Sequence, residues 1–298
     1  MTKSSIKNAF IVPLIEPSNI DDFLFSFMEY CGQEHAVVFV NQIPDYNLGL
    51  SVDRVVEYKA NKNLGFSQAM NTGMSVAISE FENLEYVTAC NDDVVFLDYS
   101  WWAAIENEFV RDDKLLGVIP TSPKEPAWGY GNNVPVWAEK DGDFIYIADT
   151  GWRSPTEVDY KYLLDNIALK RGYVSGGANW CLTFSIDRLN LFLDREGDEN
   201  PHRIVYDERF YPGGGEDYDL VHRAFGKDMR IMVTPKAWVW HKWYRATDYA
   251  KNNPDIVDNS RKWNRLSDLY ETSDDGWKSP IYQDKKMRTS KIYKHYNG

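Results

Sequence analysis

The stretch LEYVTACNDDVVF, residues 84–96, joins an apolar segment to a cluster of polar side chains. The mostly apolar run from residue 84 to residue 90 predicts a buried strand, and Asn91, Asp92 and Asp93 follow it directly. In a parallel sheet, ligands bind beyond the carboxyl ends of the strands, so these polar residues stand where a binding site is expected. The same residue types also favour ordinary turns, and the motif alone leaves both interpretations open.

Strand-like and helix-like stretches alternate on both sides of this segment. The predicted strands cover residues 9–14, 35–40, 54–58 and 115–120, and the predicted helices cover residues 18–31, 66–79 and 99–110. We therefore expect an α/β fold with a mostly parallel central sheet and helices on both faces.

The rest of the chain is less regular. Its patterns predict a hairpin within 136–149 that turns at Asp141-Gly142, a helix over 157–170, a strand within 178–185, a helix over 216–225 and a strand over 230–235. We expect one domain over residues 1–248, with an elaboration at about 121–175, and a polar, aromatic C-terminal extension over 249–298. Its basic end is typical of a solvated tail or of a contact with an anionic acceptor or a membrane surface.

Composition narrows the possible functions. The 298 residues carry a formal net charge of -12, which weighs against a broad nucleic-acid surface but not against a small anionic ligand. The apolar run FIVPLI, residues 10–15, is far shorter than the roughly 20 residues of a membrane span, and no cleavage site follows it. We expect a cytoplasmic protein whose three cysteines are reduced core residues.

A second polar signal is GGGEDYDLVHRA, residues 213–224. Three glycines leave space for a close ligand, and Glu216 and Asp217 then open a helix. A carboxylate at this point is suited to act as a general base. Acidic residues also stabilise the start of a helix electrostatically, so both interpretations stay open.

A third polar signal is AWVWHKWY, residues 237–244, where His241 ends an alternating apolar strand. A histidine in this position is either a packed, hydrogen-bonded core residue or a ligand of a metal or substrate. The aromatic residues around it, Trp243 among them, can form a core or a platform for a sugar ring.

The order of these segments resembles one known family. NKNLGFSQAMNTG, NDDVVF, GGANWCLTFS, YPGGGEDYDLVHRA and WVWH follow one another as in the family 2 glycosyltransferases of GT-A fold, and the chain is most similar to the nonprocessive, rhamnosyltransferase-like members. The resemblance covers about residues 8–245. It implies an inverting hexosyl- or pentosyltransferase that uses Mn or Mg and moves a sugar from a nucleoside-diphosphate donor to an acceptor hydroxyl of unknown class.

The resemblance also implies roles for individual residues. Asn91-Asp92-Asp93 takes the place of the D-x-D element, with Asp93 as a metal ligand and His241 as a further ligand. Asp217 falls on the catalytic base, and Glu216 is the fallback. The implied donor-binding residues are Asn41, Asn63, Gly65, Asn71, Asn91 and Asp92. The implied acceptor-binding residues are Gly213, Gly214, Gly215, Trp180 and Trp243.

Some features leave alternatives open. Asn41 stands where the family usually has an aspartate that contacts the nucleobase, so the nucleotide is open. A noncatalytic nucleotide-sugar-binding module, or a transferase acting on a modified nucleobase, are the alternative functions. A sugar nucleotidyltransferase is disfavoured because residues 12–22, VPLIEPSNIDD, contain no phosphate loop rich in Gly and Arg.

Overall fold

The computed structural model describes residues 6–50, 52–60, 62–122, 137–140, 143–146, 172–173, 180–197, 200 and 202–241, and the statements below refer to these residues. Several predicted features lie outside these residues. They are the helix expected over 157–170, the extension 249–298, Trp243 and most of the elaboration at 121–175. The proposed boundary at residue 248 therefore stays a prediction.

The described residues form strands and helices that follow the predicted alternation. The strands are β1 (Asn8–Leu14), β2 (His35–Asn41), β3 (Val55–Lys59), β4 (Tyr86–Cys90), β5 (Val94–Phe96), β6 (Leu115–Thr121), β7 (Trp137–Lys140), β8 (Asp143–Tyr146), β9 (Gly172–Tyr173), β10 (Cys181–Ser185) and β11 (Arg230–His241). The helices are α1 (Ile20–Tyr30), α2 (Gly65–Glu80), α3 (Trp101–Arg111), α4 (Ile186–Glu196) and α5 (Glu216–Gly226), and a 3-10 turn (Pro17–Asn19) precedes α1.

Nine of these strands form one curled sheet, and β7 and β8 form the predicted hairpin. The strand order is β3-β2-β1-β4-β10-β6-β11-β5, with β9 also paired to β11. β1, β2, β3 and β4 are parallel to one another, and β6 is parallel to β11. β10 runs antiparallel between β4 and β6, and β5 and β9 run antiparallel to β11. The sheet is mostly parallel, as predicted.

Helices cover both faces of the sheet. Successive strand residues point to opposite faces, and Phe10 packs against Phe27 of α1 and Trp101 of α3. The next residue, Ile11, faces α2, where a Cβ added to Gly73 would lie 2.2 Å from its Cγ2 atom. Because both faces are covered, β2 and β6 are buried along their whole length.

A row of polar side chains crosses this apolar core. Asn8 Nδ2 lies 3.3 Å from His35 Nδ1, Thr88 donates to Asn8 Oδ1 at 3.0 Å, and the hydroxyls of Thr88 and Thr183 lie 3.0 Å apart. All four side chains are buried. The row connects β2, β1, β4 and β10, and each member has a hydrogen-bond partner, as a buried polar group requires.

Cys31, Cys90 and Cys181 are buried and form no disulfide, as predicted. No helix in the described ranges is both long and apolar enough to cross a membrane.

Candidate functional site

The polar cluster Asn91-Asp92-Asp93 lies in a short connection between two strands. β4 ends at Cys90, Asn91 follows it, Asp92 and Asp93 form the turn, and β5 begins directly after Asp93. Asn91 and Asp92 are half-buried, whereas Asp93 is only 7% exposed. The sheet therefore holds a carboxylate almost out of solvent at the carboxyl end of a strand.

His241 lies beside this carboxylate. β5 pairs with the end of β11, so His241 stands opposite Val94, the residue after Asp93. Its Nε2 atom lies 3.2 Å from Asp93 Oδ1, and His241 is 1% exposed. The sequence predicted these two residues at the ends of neighbouring strands, and the strand pairing brings them into contact.

The His241 ring is held on several sides. Trp180 stacks on it with ring centroids 5.0 Å apart and planes 10° apart, and Asn91 Nδ2 lies 3.4 Å from His241 Nε2. The backbone N–H of His241 donates to Ser122 Oγ at 3.1 Å, and that of Asn91 donates to the Trp180 carbonyl at 2.9 Å. These contacts fix the imidazole with one nitrogen facing the carboxylate.

Trp180 is buried against the His241 ring. The sequence suggested a contact with the acceptor, but the side chain is 1% exposed. Its ring packs on His241 because β10 starts beside the turn that carries Asn91. In this structure Trp180 therefore supports the His241 ring, and its contact with an acceptor stays a prediction.

The Asp93 and His241 donor set fits a divalent cation. A carboxylate oxygen and an imidazole nitrogen are ligands for Mn, and Mg or Mn commonly keeps waters and substrate phosphates beside one or two protein ligands. The separation of 3.2 Å lets both atoms reach one ion. In the described part of the chain no group of three or more His, Cys, Asp and Glu side chains gathers as a metal site. Two side chains fill only two positions of a coordination shell, which leaves positions for waters and substrate phosphates.

The three glycines form a tight loop before α5. Gly214 and Gly215 have φ values of 92° and 98°, a conformation that a side chain disfavours. The loop packs on the start of α2, where the backbone N–H of Phe66 donates to the Pro212 carbonyl at 2.9 Å. Gly65 has a φ of 72°, and a Cβ there would lie 2.9 Å from the Pro212 oxygen. Glycine is thus required where the two segments touch.

Glu216 is the first residue of α5 and is 6% exposed. Burial raises the pKa of its carboxyl group to about 7, although hydrogen bonds from the backbone N–H groups of Glu216 and Gly214 act in the opposite direction. Its Oε2 atom is buried and has no hydrogen-bond partner among the described residues. Asp217, next to it, is half-buried. The raised pKa of Glu216 lies near the working pH, which suits a general base.

A buried ion-pair network that the sequence analysis missed holds α5. Arg223 donates to Asp219 Oδ2 at 2.7 Å and to Glu196 Oε1 at 2.8 Å, and all three side chains are almost completely buried. The i,i+4 spacing of Asp219 and Arg223 is the signal that could have suggested part of it. A short turn joins α5 to β11, so the first turn of α5 lies towards the carboxyl edge of the parallel strands.

The predicted donor-side residues already make contacts within the protein. Asn63 Oδ1 accepts a hydrogen bond from the Gly65 N–H at 2.8 Å. Asn71 bonds to the backbone of Tyr206, and Asn41 bonds to Glu57 at 2.6 Å. Nucleotide contact by these residues stays a prediction. The structure shows their hydrogen bonds within the protein.

The fold is that of the GT-A glycosyltransferases. It is similar to GalNAc-T7 solved with UDP, GalNAc and Mn2+, with a TM-score of 0.53, 11% sequence identity and coverage of 88% of this chain and 48% of that chain. The chain thus spans about half the length of GalNAc-T7. The mannosyltransferase PcManGT from Pyrobaculum calidifontis, solved with GDP-Man and Mn2+, matches with a TM-score of 0.47, 12% identity and coverage of 91% of this chain and 77% of that chain. No protein-family model and no curated protein sequence matches the chain.

Proposed function

We propose that this protein is a metal-dependent, inverting glycosyltransferase that moves a hexosyl or pentosyl group from a nucleoside-diphosphate donor to an acceptor hydroxyl. Within the GT-A transferases, we assign it to the nonprocessive, rhamnosyltransferase-like members of family 2. The order of its motifs supports that assignment, and the GT-A fold agrees with it.

One observation carries the proposal. Asp93 and His241 lie 3.2 Å apart, nearly buried, where β4 and β11 end. A structural ion pair explains neither the half-buried Asn91 and Asp92 beside them nor their place at the edge where α/β folds bind ligands. The chemistry that a bound divalent cation supplies is neutralisation of the charge that develops on a departing diphosphate. Asp93 and His241 would hold the ion, and Trp180 would fix the ring of His241.

The chain also supplies a group for the proton of the acceptor. In an inverting transfer, the acceptor oxygen forms its bond to the anomeric carbon as the bond to the diphosphate breaks on the opposite side. The hydroxyl proton must leave in the same step, and Asp217 would take it, with Glu216 as the other carboxylate at the start of α5. The glycine loop of residues 213–215 would leave space for the acceptor.

The proposal can be tested with the full-length chain. We expect at least one of the UDP-, dTDP- or GDP-sugars to bind in calorimetry with Mn present, and EDTA to abolish this binding. With a panel of hydroxyl acceptors, the nucleoside diphosphate should be released and the product should have the inverted anomeric configuration by NMR. Failure of every donor to bind would refute the proposed function. Binding without release across the panel would favour a noncatalytic module, and a retained configuration would refute inversion alone.

A further inference from the structure

A carboxylate on β3 lies against the asparagine that ends β2. Asn41 Nδ2 donates to Glu57 Oε1 at 2.6 Å and to the Tyr46 carbonyl at 3.0 Å, while Asn41 Oδ1 accepts from the Ile43 N–H at 3.0 Å. Because a backbone N–H only donates and a carbonyl only accepts, these contacts fix which end of the amide faces which way. Asn41 is 2% exposed and both hydrogens of its amide are used. Asn41 therefore orients Glu57 and has no amide hydrogen left to donate to a ligand.

The Oε2 oxygen of Glu57 is available to accept a further hydrogen bond. Its Oε1 atom accepts from Asn41 and, at 3.4 Å, from the Leu48 N–H. Its Oε2 atom has no hydrogen bond or ion pair among the residues that the structure describes, and the side chain is half-buried. Asn41 thus holds a carboxylate with one free acceptor at the carboxyl edge of β2 and β3.

The same strand end shows a second sign of a missing partner. Gln42 is 4% exposed, and its Oε1 atom accepts from the Leu64 N–H at 2.6 Å. Its Nε2 atom is buried with no hydrogen-bond partner within the described ranges. A buried amide donor is normally paired, and each exception calls for a cause such as a ligand. This edge therefore has an unused donor as well as an unused acceptor.

On the proposed function, this edge lies at the far end of the donor from Asp93. β2 and β3 stand two and three strands from β4 in the sheet, so roughly 10–14 Å separates their ends from the cation ligands. An extended nucleoside diphosphate can bridge such a distance. On the other side of β4, β10 is antiparallel and begins next to Trp180, which fills that side by packing on His241. The nucleoside half is thus directed along the ends of β1, β2 and β3.

We propose that Glu57, oriented by Asn41, reads the nucleobase of the donor by accepting a hydrogen bond from a ring N–H. Uracil, thymine and guanine have such a group. Cytosine and adenine instead place an unprotonated ring nitrogen at the matching position, and two acceptors facing each other repel. The inference rests on the proposed function and assigns to Glu57 the selection of uridine, thymidine or guanosine diphosphate sugars over cytidine and adenosine diphosphate sugars.

Two pairs of nucleotides test the proposal by calorimetry with Mn: UDP against CDP, and GDP against ADP. We expect UDP or GDP to bind the parent about 10–100-fold more tightly than its counterpart, the usual worth of a hydrogen bond to a charged group. Tighter binding of CDP and ADP, or equal binding within both pairs, would overturn the proposal. If none of the four nucleotides binds, the proposed function itself fails, and the two failures are thereby separated.

Glu57→Gln sharpens the test. Asn41 directs an N–H at residue 57, so the glutamine must turn its carbonyl towards Asn41 and its own N–H group towards the base. We expect the preference for UDP over CDP, or for GDP over ADP, to collapse by about 10–100-fold while the melting temperature stays near that of the parent. Glu82→Gln removes the same charge from an exposed site before β4 and should leave the preference intact. An unchanged preference in Glu57→Gln would make Glu57 structural.

The Asn41→Asp variant tests whether Glu57 or residue 41 contacts the base. This change places a carboxylate where Asn41 now donates to Glu57 at 2.6 Å. We expect repulsion to disturb Glu57 and to weaken the binding of the preferred nucleotide. A stronger preference in this variant would assign the reading of the base to residue 41 and would overturn the role of Glu57.

Discussion

The side-chain amide of Asn71 bonds to both backbone groups of Tyr206. Its Nδ2 atom donates to the Tyr206 carbonyl at 2.8 Å, and its Oδ1 atom accepts from the Tyr206 N–H at 3.0 Å. The same amide also bonds to the Val205 N–H and to the Glu208 carboxylate. Asn71 lies on α2, and Tyr206 lies in the segment that leads to the glycine loop. One side chain thus connects α2 to the segment that leads to the glycine loop.

Asn71→Ala should therefore destabilise the protein. The change leaves backbone groups of Val205 and Tyr206 without their partner, and an unsatisfied buried group costs about 1–3 kcal/mol. Urea unfolding measures this loss. Ser75→Ala is the matched control on the same helix, because Ser75 is exposed and, among the described residues, its hydroxyl donates only to the Asn71 carbonyl. It should stay within about 0.5 kcal/mol of the parent. Equal losses in both variants would contradict the connecting role of Asn71.

His35 should make stability depend on pH. Burial lowers the pKa of its imidazole from 6.5 to about 4, so the folded state holds it neutral. The unfolded state binds a proton below pH 6.5 and the folded state does so only below about 4. The contribution of neutral His35 to the free energy of unfolding is therefore fully present above pH 6.5 and is lost as the pH falls towards 4. Between pH 7.5 and pH 5 the loss should be about 2 kcal/mol.

His35→Gln isolates this contribution, because glutamine keeps an acceptor for Asn8 but does not titrate. Unfolding free energies at pH 7.5 and pH 5 should differ by about 2 kcal/mol less in this variant than in the parent. His202 is exposed, so His202→Gln should leave the parental difference unchanged. A parental pH dependence in His35→Gln would assign the effect to other groups.

The elements around Asp93 could be predicted because local patterns determine them. The apolar run before Cys90 and the alternating residues before His241 define strands, and the sheet order then brings their ends together. Helix α4, Ile186–Glu196, was not predicted, although Leu189, Phe192 and Leu193 form a helical face. These apolar residues recur at the spacing of a helix, so the pattern was sufficient to predict α4.

The roles of other residues depend on contacts between distant segments. Trp180 packs on His241, which lies 61 positions later in the chain, so its burial could not be read from its neighbours. Asn41 meets Glu57 only because β2 and β3 pair with Asn41 opposite Lys59. Strand register sets that contact, and register follows from the packed sheet rather than from the asparagine itself.

Asp93→Ala should remove the dependence of donor binding on Mn. The change deletes one of the two protein atoms that face each other at 3.2 Å, and a cation held mainly by waters and phosphates tolerates such a loss poorly. Calorimetry with a nucleotide sugar, with and without Mn, measures the effect. Asp113→Ala removes an exposed carboxylate before β6 and should behave as the parent does. Parental Mn-dependent affinity in Asp93→Ala would exclude Asp93 as a ligand.

Asp217→Asn and Glu216→Gln should separate the two carboxylates at the start of α5. If Asp217 takes the acceptor proton, Asp217→Asn loses about 10²–10⁴-fold in turnover while donor affinity and melting temperature stay near the parent. A residue that only stabilises the helix start would instead lower stability by about 0.3–1 kcal/mol and spare turnover.

Glu216 provides the contrast, because its pKa of about 7 means that a base at this position would make turnover rise with pH through neutrality. We therefore expect Glu216→Gln to keep most of the turnover and its pH profile. Loss of turnover in Glu216→Gln together with a parental rate in Asp217→Asn would transfer the base to Glu216.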